Sequence, residues 1–202
     1  YDLDNLRELL DLDEKYPSYQ KVAASVIAKD TGNWFSVFTI DKGSKDGLKK
    51  GMNIMAGSGL VGIITDVGPN YAKVRSIIDD SANVSAMVTT TGDNMNVSGN
   101  LQTMNSDQAI TFSELRDSED KVQIGDPVVT SYVSDQYQQG ILIGYIASIE
   151  SDSNKLTKSG TITPVVDFEH MENVLVILDT KETGDSTQTE SSGDSSTQTT
   201  EQ

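Results

Sequence analysis

One histidine, His170, is available to act as a general base, and it stands in Asp167-Phe168-Glu169-His170-Met171-Glu172. A serine triad needs that base held between an orienting carboxylate and a serine at a strained turn. No Gly-x-Ser-x-Gly elbow occurs, and Ser58, between Gly57 and Gly59, reads as the tip of a hairpin. A histidine set among acids in a connecting segment is expected to be exposed or to cap a turn. Zinc is excluded by the absence of cysteine together with the single histidine. Asp117-Ser118-Glu119-Asp120 is acidic but lacks the central glycine and closing glutamate of a calcium loop, so it reads as a solvated turn. Lys49-Lys50-Gly51-Met52 does not complete a phosphate-binding loop. Asn83-Val84-Ser85 and Asn96-Val97-Ser98 match the glycan acceptor triplet, yet both fall inside expected strands. No catalytic residue, metal site or cofactor is expected, and the protein reads as non-enzymatic.

The elements that would position such residues are strands. Between residues 21 and 178 short apolar or alternating runs are separated by turn residues: 22–28, 34–40, 60–67, 72–78, 84–88, 109–115, 128–133, 141–149, 161–168 and 174–178. Such spacing with β-branched enrichment predicts an all-β barrel or sandwich. In the second run Trp34, Phe38 and Ile40 share one face. Asp46-Gly47, Gly57-Ser58-Gly59, Gly68-Pro69-Asn70 and Gly92-Asp93-Asn94 supply the bends. A faint repeat runs through this region. Residues 36–51 align with 110–125 at an offset of 74, setting Phe38 on Phe112, Leu48 on Val122 and Gly51 on Gly125, with Ile54 on Val128 beyond. After an insertion of seven or eight residues, Gly59-Leu60-Val61-Gly62 is echoed from Gly140 to Gly144. The repeat predicts two related small barrels, the first over residues 17–80 and the second over 81–179. Closure would remove the exposed edges that short strands leave.

The only helix expected lies at residues 1–16. Leu3, Leu6 and Leu10 follow the 3,4 spacing of a coiled-coil seam, and Pro17 ends it. The same residues also suit an amphipathic helix packed on its own domain. Residues 180–202 contain no aliphatic or aromatic residue and are more than half Ser or Thr, so they are expected to form a disordered tail. The net charge is −16, of which that tail carries −4. The folded part is thus acidic in its own right, which excludes nucleic acid as a partner. The longest apolar run, 174–178, is far short of the roughly 20 residues a membrane helix needs. The chain opens on Tyr1 and not on methionine, so an upstream part is expected.

Several stretches together resemble the rod shape-determining MreC family. They are Leu6-Arg7-Glu8-Leu9-Leu10-Asp11-Leu12 leading to Tyr16-Pro17, Val26-Ile27-Ala28-Lys29-Asp30, Asn33-Trp34-Phe35, and the long motif from Ile40 to Met52. Gly59-Leu60-Val61-Gly62, Val67-Gly68-Pro69-Asn70 and Lys73-Val74 follow. The second half supplies Val122-Gln123-Ile124-Gly125-Asp126-Pro127-Val128, then Pro164-Val165-Val166-Asp167-Phe168 before Val174-Leu175-Val176-Ile177. Their order over residues 6–178 makes the resemblance specific. The loop 132–139 and the tail stand outside it as embellishments of this chain. The resemblance implies a single-pass membrane scaffold whose coiled coil leads to two β-barrels outside the membrane. It further implies self-association as a dimer or filament, with Leu3, Leu6 and Leu10 as the dimerisation seam. The implied partners are an elongation-class penicillin-binding protein and other membrane members of the wall-elongation complex. Two other classes compete. Paired small barrels are also the fold of trypsin-like proteases, which place their histidine in the first barrel, unlike His170. A periplasmic adaptor of an export pump also joins a coil to β-domains, but usually around a long helical hairpin.

Overall fold

The computed structural model describes residues 19–32, 34–117 and 119–180; Leu3, Leu6 and Leu10 and most of the expected tail lie outside these. The first strands are β1 (Lys21–Lys29), β2 (Val37–Ile40), β3 (Asn53–Ala56), β4 (Gly59–Val67) and β5 (Ala72–Ser76). Then come β6 (Asn83–Val88), β7 (Asn94–Ser98), a helix α1 (Leu101–Asp107), β8 (Ile110–Leu115), β9 (Pro127–Thr130), β10 (Leu142–Ser151), β11 (Lys158–Pro164) and β12 (Asn173–Ile177). Burial alternates along β2, β5, β6 and β7. In β6 Val84, Ala86 and Val88 point inward, and in β7 Met95 and Val97 do, with polar neighbours outside.

The strands close into two six-membered barrels, β1-β12-β3-β4-β5-β2 and β10-β11-β8-β7-β6-β9. Every neighbouring pair in both rings is antiparallel. The rings match strand for strand. Strands β2, β3, β4 and β5 take the places of β8, β9, β10 and β11, while β1 stands for β7 and β12 for β6. Equivalent hydrogen bonds recur: Gly51 N–H donates to Ile64 O at 3.0 Å and Gly125 N–H to Ile146 O at 2.7 Å. Likewise Ile77 N–H reaches Val61 O and Val165 N–H reaches Ile143 O. Gly62 and Gly144 occupy matching bends. A Cβ there would fall 2.1 Å from the Arg75 carbonyl oxygen in one barrel and 2.1 Å from that of Thr163 in the other.

The match also corrects the expected contiguous division. Strand Asn173–Ile177, expected in the second barrel, lies between β1 and β3 of the first. Barrel 2 is built from an uninterrupted stretch, whereas barrel 1 takes its sixth strand from the far end of the described chain. Helix α1 was not expected either. Asn100 caps it, its side-chain oxygen accepting from Thr103 N–H at 2.9 Å, and Met104 buries against the core. Seven residues with one buried side chain leave too weak a period to read from sequence.

Candidate functional site

A buried asparagine joins the two barrels. Asn53, on β3 and 1% exposed, accepts from Gln138 N–H at 2.7 Å and donates to Gln136 O at 3.0 Å. Both partners belong to the loop between β9 and β10. Its side-chain amide thus pairs with the loop backbone as a strand would, satisfying polar groups whose burial would otherwise cost about 1–3 kcal/mol each. The loop is further pinned from its own barrel, where Thr130 Oγ1 donates to Gln138 O and accepts from Ile141 N–H. The Gln138 side chain donates to Asp179 O at 2.9 Å, just beyond β12. The segment that reads as an embellishment is therefore the clamp between the barrels.

Other contacts close the seam. Trp34 Nε1–H donates to Asn105 Oδ1 on α1 at 2.6 Å, and Phe35 N–H to Phe168 O at 2.9 Å. At the start of β4, a Cβ on Gly59 would lie 2.6 Å from the Leu142 carbonyl oxygen, so the barrels touch backbone to backbone there. One hydrophobic cluster runs through both barrels, from Phe38 and Ile40 to Phe112 and Ile143.

His170 is exposed, with Nδ1 3.1 Å from Asp167 Oδ2 in its own turn and its N–H on Asp167 Oδ1. Among the described residues no hydroxyl hydrogen-bonds its ring, so the His–Asp pair has no nucleophile there. Ser58 sits at the β3–β4 hairpin tip. No cluster of three or more metal-binding side chains occurs among the described residues. The acidic stretch after β8 departs from the solvated turn expected of it. The Asp117 side chain is 1% exposed and accepts from Lys158 Nζ at 2.8 Å and from Lys121 and Val122 N–H. Burial alone would raise its pKa, but Lys158 and the two N–H groups outweigh it and hold the carboxyl below the usual carboxylate range. Lys158 is held above its ordinary value by hydrogen bonds to Asp117 and Asp120. No helix among the described residues is long and apolar enough to cross a membrane.

Two six-stranded barrels of one design, the first closed by a strand from beyond the second and joined to it by a buried amide, define a β-tandem with no assembled reaction centre among the described residues. Residues 26–178 match the family model of the rod shape-determining protein MreC barrel core. The cell shape-determining protein MreC of Listeria monocytogenes is 32% identical over 182 residues, covering 89% of this chain and 61% of that protein. The Bacillus subtilis relative is 28% identical, with 89% of this chain and 66% of that protein covered. A solved MreC structure from Listeria superposes with a TM-score of 0.73 at 30% identity over 91% of this chain and 90% of the other. A Helicobacter pylori MreC, solved in complex with penicillin-binding protein PBP2, shares the fold at 14% identity, with a TM-score of 0.57 over 79% of this chain and 99% of that one. The chain belongs to the MreC family of cell shape-determining proteins, which sets aside the protease and export-adaptor readings. It spans about six-tenths to two-thirds of the length of these curated relatives.

Proposed function

We propose that this chain is the extracytoplasmic part of a single-pass, membrane-anchored scaffold of the bacterial wall-elongation machinery, and that it carries out no chemistry itself. The observation that carries the reading is the family match over residues 26–178, which takes in both barrels and the exchanged strand. The Helicobacter complex of MreC with PBP2 supports an elongation-class penicillin-binding protein as partner. A body clamped at Asn53 suits such a role, because a scaffold transmits position only if its halves do not move independently. Surface binding of the chain to the extracytoplasmic domain of its own organism's elongation-class penicillin-binding protein is the test. Saturable binding is expected; none at high micromolar concentration would overturn the reading. Peptide and ester substrates should remain intact, and hydrolysis that vanishes in His170→Ala would overturn the non-enzymatic part.

Self-association is assigned to Leu3, Leu6 and Leu10. Each leucine contributes about 1.5–3 kcal/mol if fully buried, against roughly 4–15 kcal/mol lost in association. Two heptads sit near break-even, so this chain is expected to be a monomer or a weak dimer. Extending it upstream by three designed heptads should give a stable dimer by light scattering, and Leu6→Asp with Leu10→Asp should abolish it. An extended chain that stays monomeric would move the contact onto the barrels.

A further inference from the structure

Among the described residues two side-chain polar atoms are buried without a hydrogen-bond partner, Arg75 Nε and Ser76 Oγ. The Ser76 hydroxyl carries no charge, whereas Arg75 is a half-buried guanidinium whose Nε is shut off from water with no anion beside it. Arg75 forms no ion pair or side-chain hydrogen bond among the described residues, in a chain with 31 carboxylates. It lies on β5 of barrel 1 and opens into a crevice of about 260 Å³ between the barrels. Tyr137, Asn83, Ser85 and Asn96 of barrel 2 line the same crevice. Asp135 is the one carboxylate in the lining, and it is exposed and unpaired with Arg75.

The lining specifies the ligand. A single cation with no lysine beside it balances one negative charge, and its planar fork matches a carboxylate bidentately. Tyr137 adds a hydroxyl donor: it is 2% exposed, and burial pushes its pKa up to about 12 although Arg75 pulls the other way, so it stays protonated. The crevice is too large for a carboxylate alone, given that a water takes up about 30 Å³. Ser85 and Asn96 also line an adjoining groove of about 610 Å³, whose walls further include Asn94, Val133, Arg116 and the carboxylates Asp93 and Glu114. Serine and asparagine side chains both donate and accept; Asn96 already donates to Glu114 Oε2 and Asn94 Oδ1 accepts from Ser131, which leaves the Ser85 hydroxyl, the Asn96 carbonyl and the Asn94 amide for the N–H and C=O groups of an extended peptide.

We propose that the inter-barrel crevice binds a carboxylate carried by an extended peptide, with Arg75 as the fork, Tyr137 as second donor and the peptide running along the Ser85–Asn96 groove. The site draws on both barrels and goes beyond the scaffold reading. The test is a ¹⁵N-resolved NMR titration of the chain with an acetylated tri-alanine bearing a free C-terminal carboxylate, its C-terminal amide, an amidated Ala-Glu-Ala and acetate. Saturable shifts at residues 81–85 and 134–137 are expected with the free-acid peptide or with the Glu peptide, whichever source fits. The uncharged amide should bind at least tenfold more weakly. Arg75→Gln should lose the same factor, Arg75→Lys should recover part of it, and Asp135→Asn should tighten binding severalfold by removing the one carboxylate of the crevice lining. Equal binding of the uncharged amide to the wild type, or unchanged binding by Arg75→Gln, overturns the carboxylate site. Acetate binding as tightly as the peptides overturns the groove.

Discussion

Ending the chain at residue 172 should open barrel 1 and leave barrel 2 folded. Strand β12 pairs with β1 from Lys21↔Ile177 to Ser25↔Asn173 and with β3 from Leu175↔Met55 to Ile177↔Asn53. Its loss strips both ladders and turns β1 and β3 into edges. It also removes Val174, Val176 and Ile177, each fully buried, and Leu175 at 7% exposure. Four such side chains contribute roughly 6–12 kcal/mol at about 1.5–3 kcal/mol each, an upper estimate because the unfolded chain is itself partly compact. That equals most of the about 5–15 kcal/mol by which a domain is stable. Barrel 2 keeps all six strands on residues 83–164. Hydrogen exchange followed by mass spectrometry should show protection lost across β1–β5 and retained across β6–β11, with a chain ended at 180 as the protected control. A rescue follows from the geometry. Leu178 N–H already donates to Gln20 O at 2.8 Å, so β12 and β1 form the two arms of an unclosed hairpin. Moving Asn173–Ile177 ahead of β1 through a short turn should restore barrel 1, in the connectivity that β6 and β7 already have. Barrel 1 amides that stay protected in the chain ended at 172 would refute the exchanged-strand argument.

Other outcomes follow from single sites. Asp117→Ala should cost about 3 kcal/mol in a denaturant titration, the low end for breaking a buried pair because Asp120 still faces Lys158. Asp117 has its folded pKa depressed, so its contribution is present above the unfolded carboxylate pKa and is lost as pH falls through the lower folded value; the wild type's stability advantage over Asp117→Asn should shrink below about pH 4. Gly62→Ala forces a Cβ against backbone that cannot yield and should lower stability by about 3 kcal/mol, the upper end of the usual overpacking cost of about 1–3. Gly57→Ala has open space but a φ of +57°, so a thermal scan should show only about 1–2 kcal/mol. Removing residues 181–202, which contain no aliphatic or aromatic side chain, should shift the folding free energy by less than about 0.5 kcal/mol.

The strand content, the turns and the twofold repeat were legible because each is a local pattern: Val84, Ala86 and Val88 alternate, and Phe38 and Phe112 recur 74 positions apart. The exchanged strand was not, because Val174-Leu175-Val176-Ile177 is apolar at every position. Such a run announces burial on both faces and says nothing about which ring surrounds it. Yet the repeat held the answer in its strand count. In the second module β6 precedes β7, so the first module needs a strand ahead of β1; residues 1–16 carry a leucine seam in that place and no β pattern. The sixth strand therefore had to come from elsewhere, and the only run left over after both modules were assigned was 174–178. The joining residues were illegible for a different reason. Asn53 reads as the polar start of a strand, and Arg75 reads as an ordinary outward residue of Ala72-Lys73-Val74-Arg75-Ser76, equivalent to Lys73 two positions earlier. What separates Arg75 from Lys73 is the loop 131–140 of the other barrel, which covers the first and leaves the second in water. Burial imposed by a distant segment leaves no mark on the local pattern, and for that reason the residues that make two barrels into one body are the ones that a reading of either barrel alone passes over.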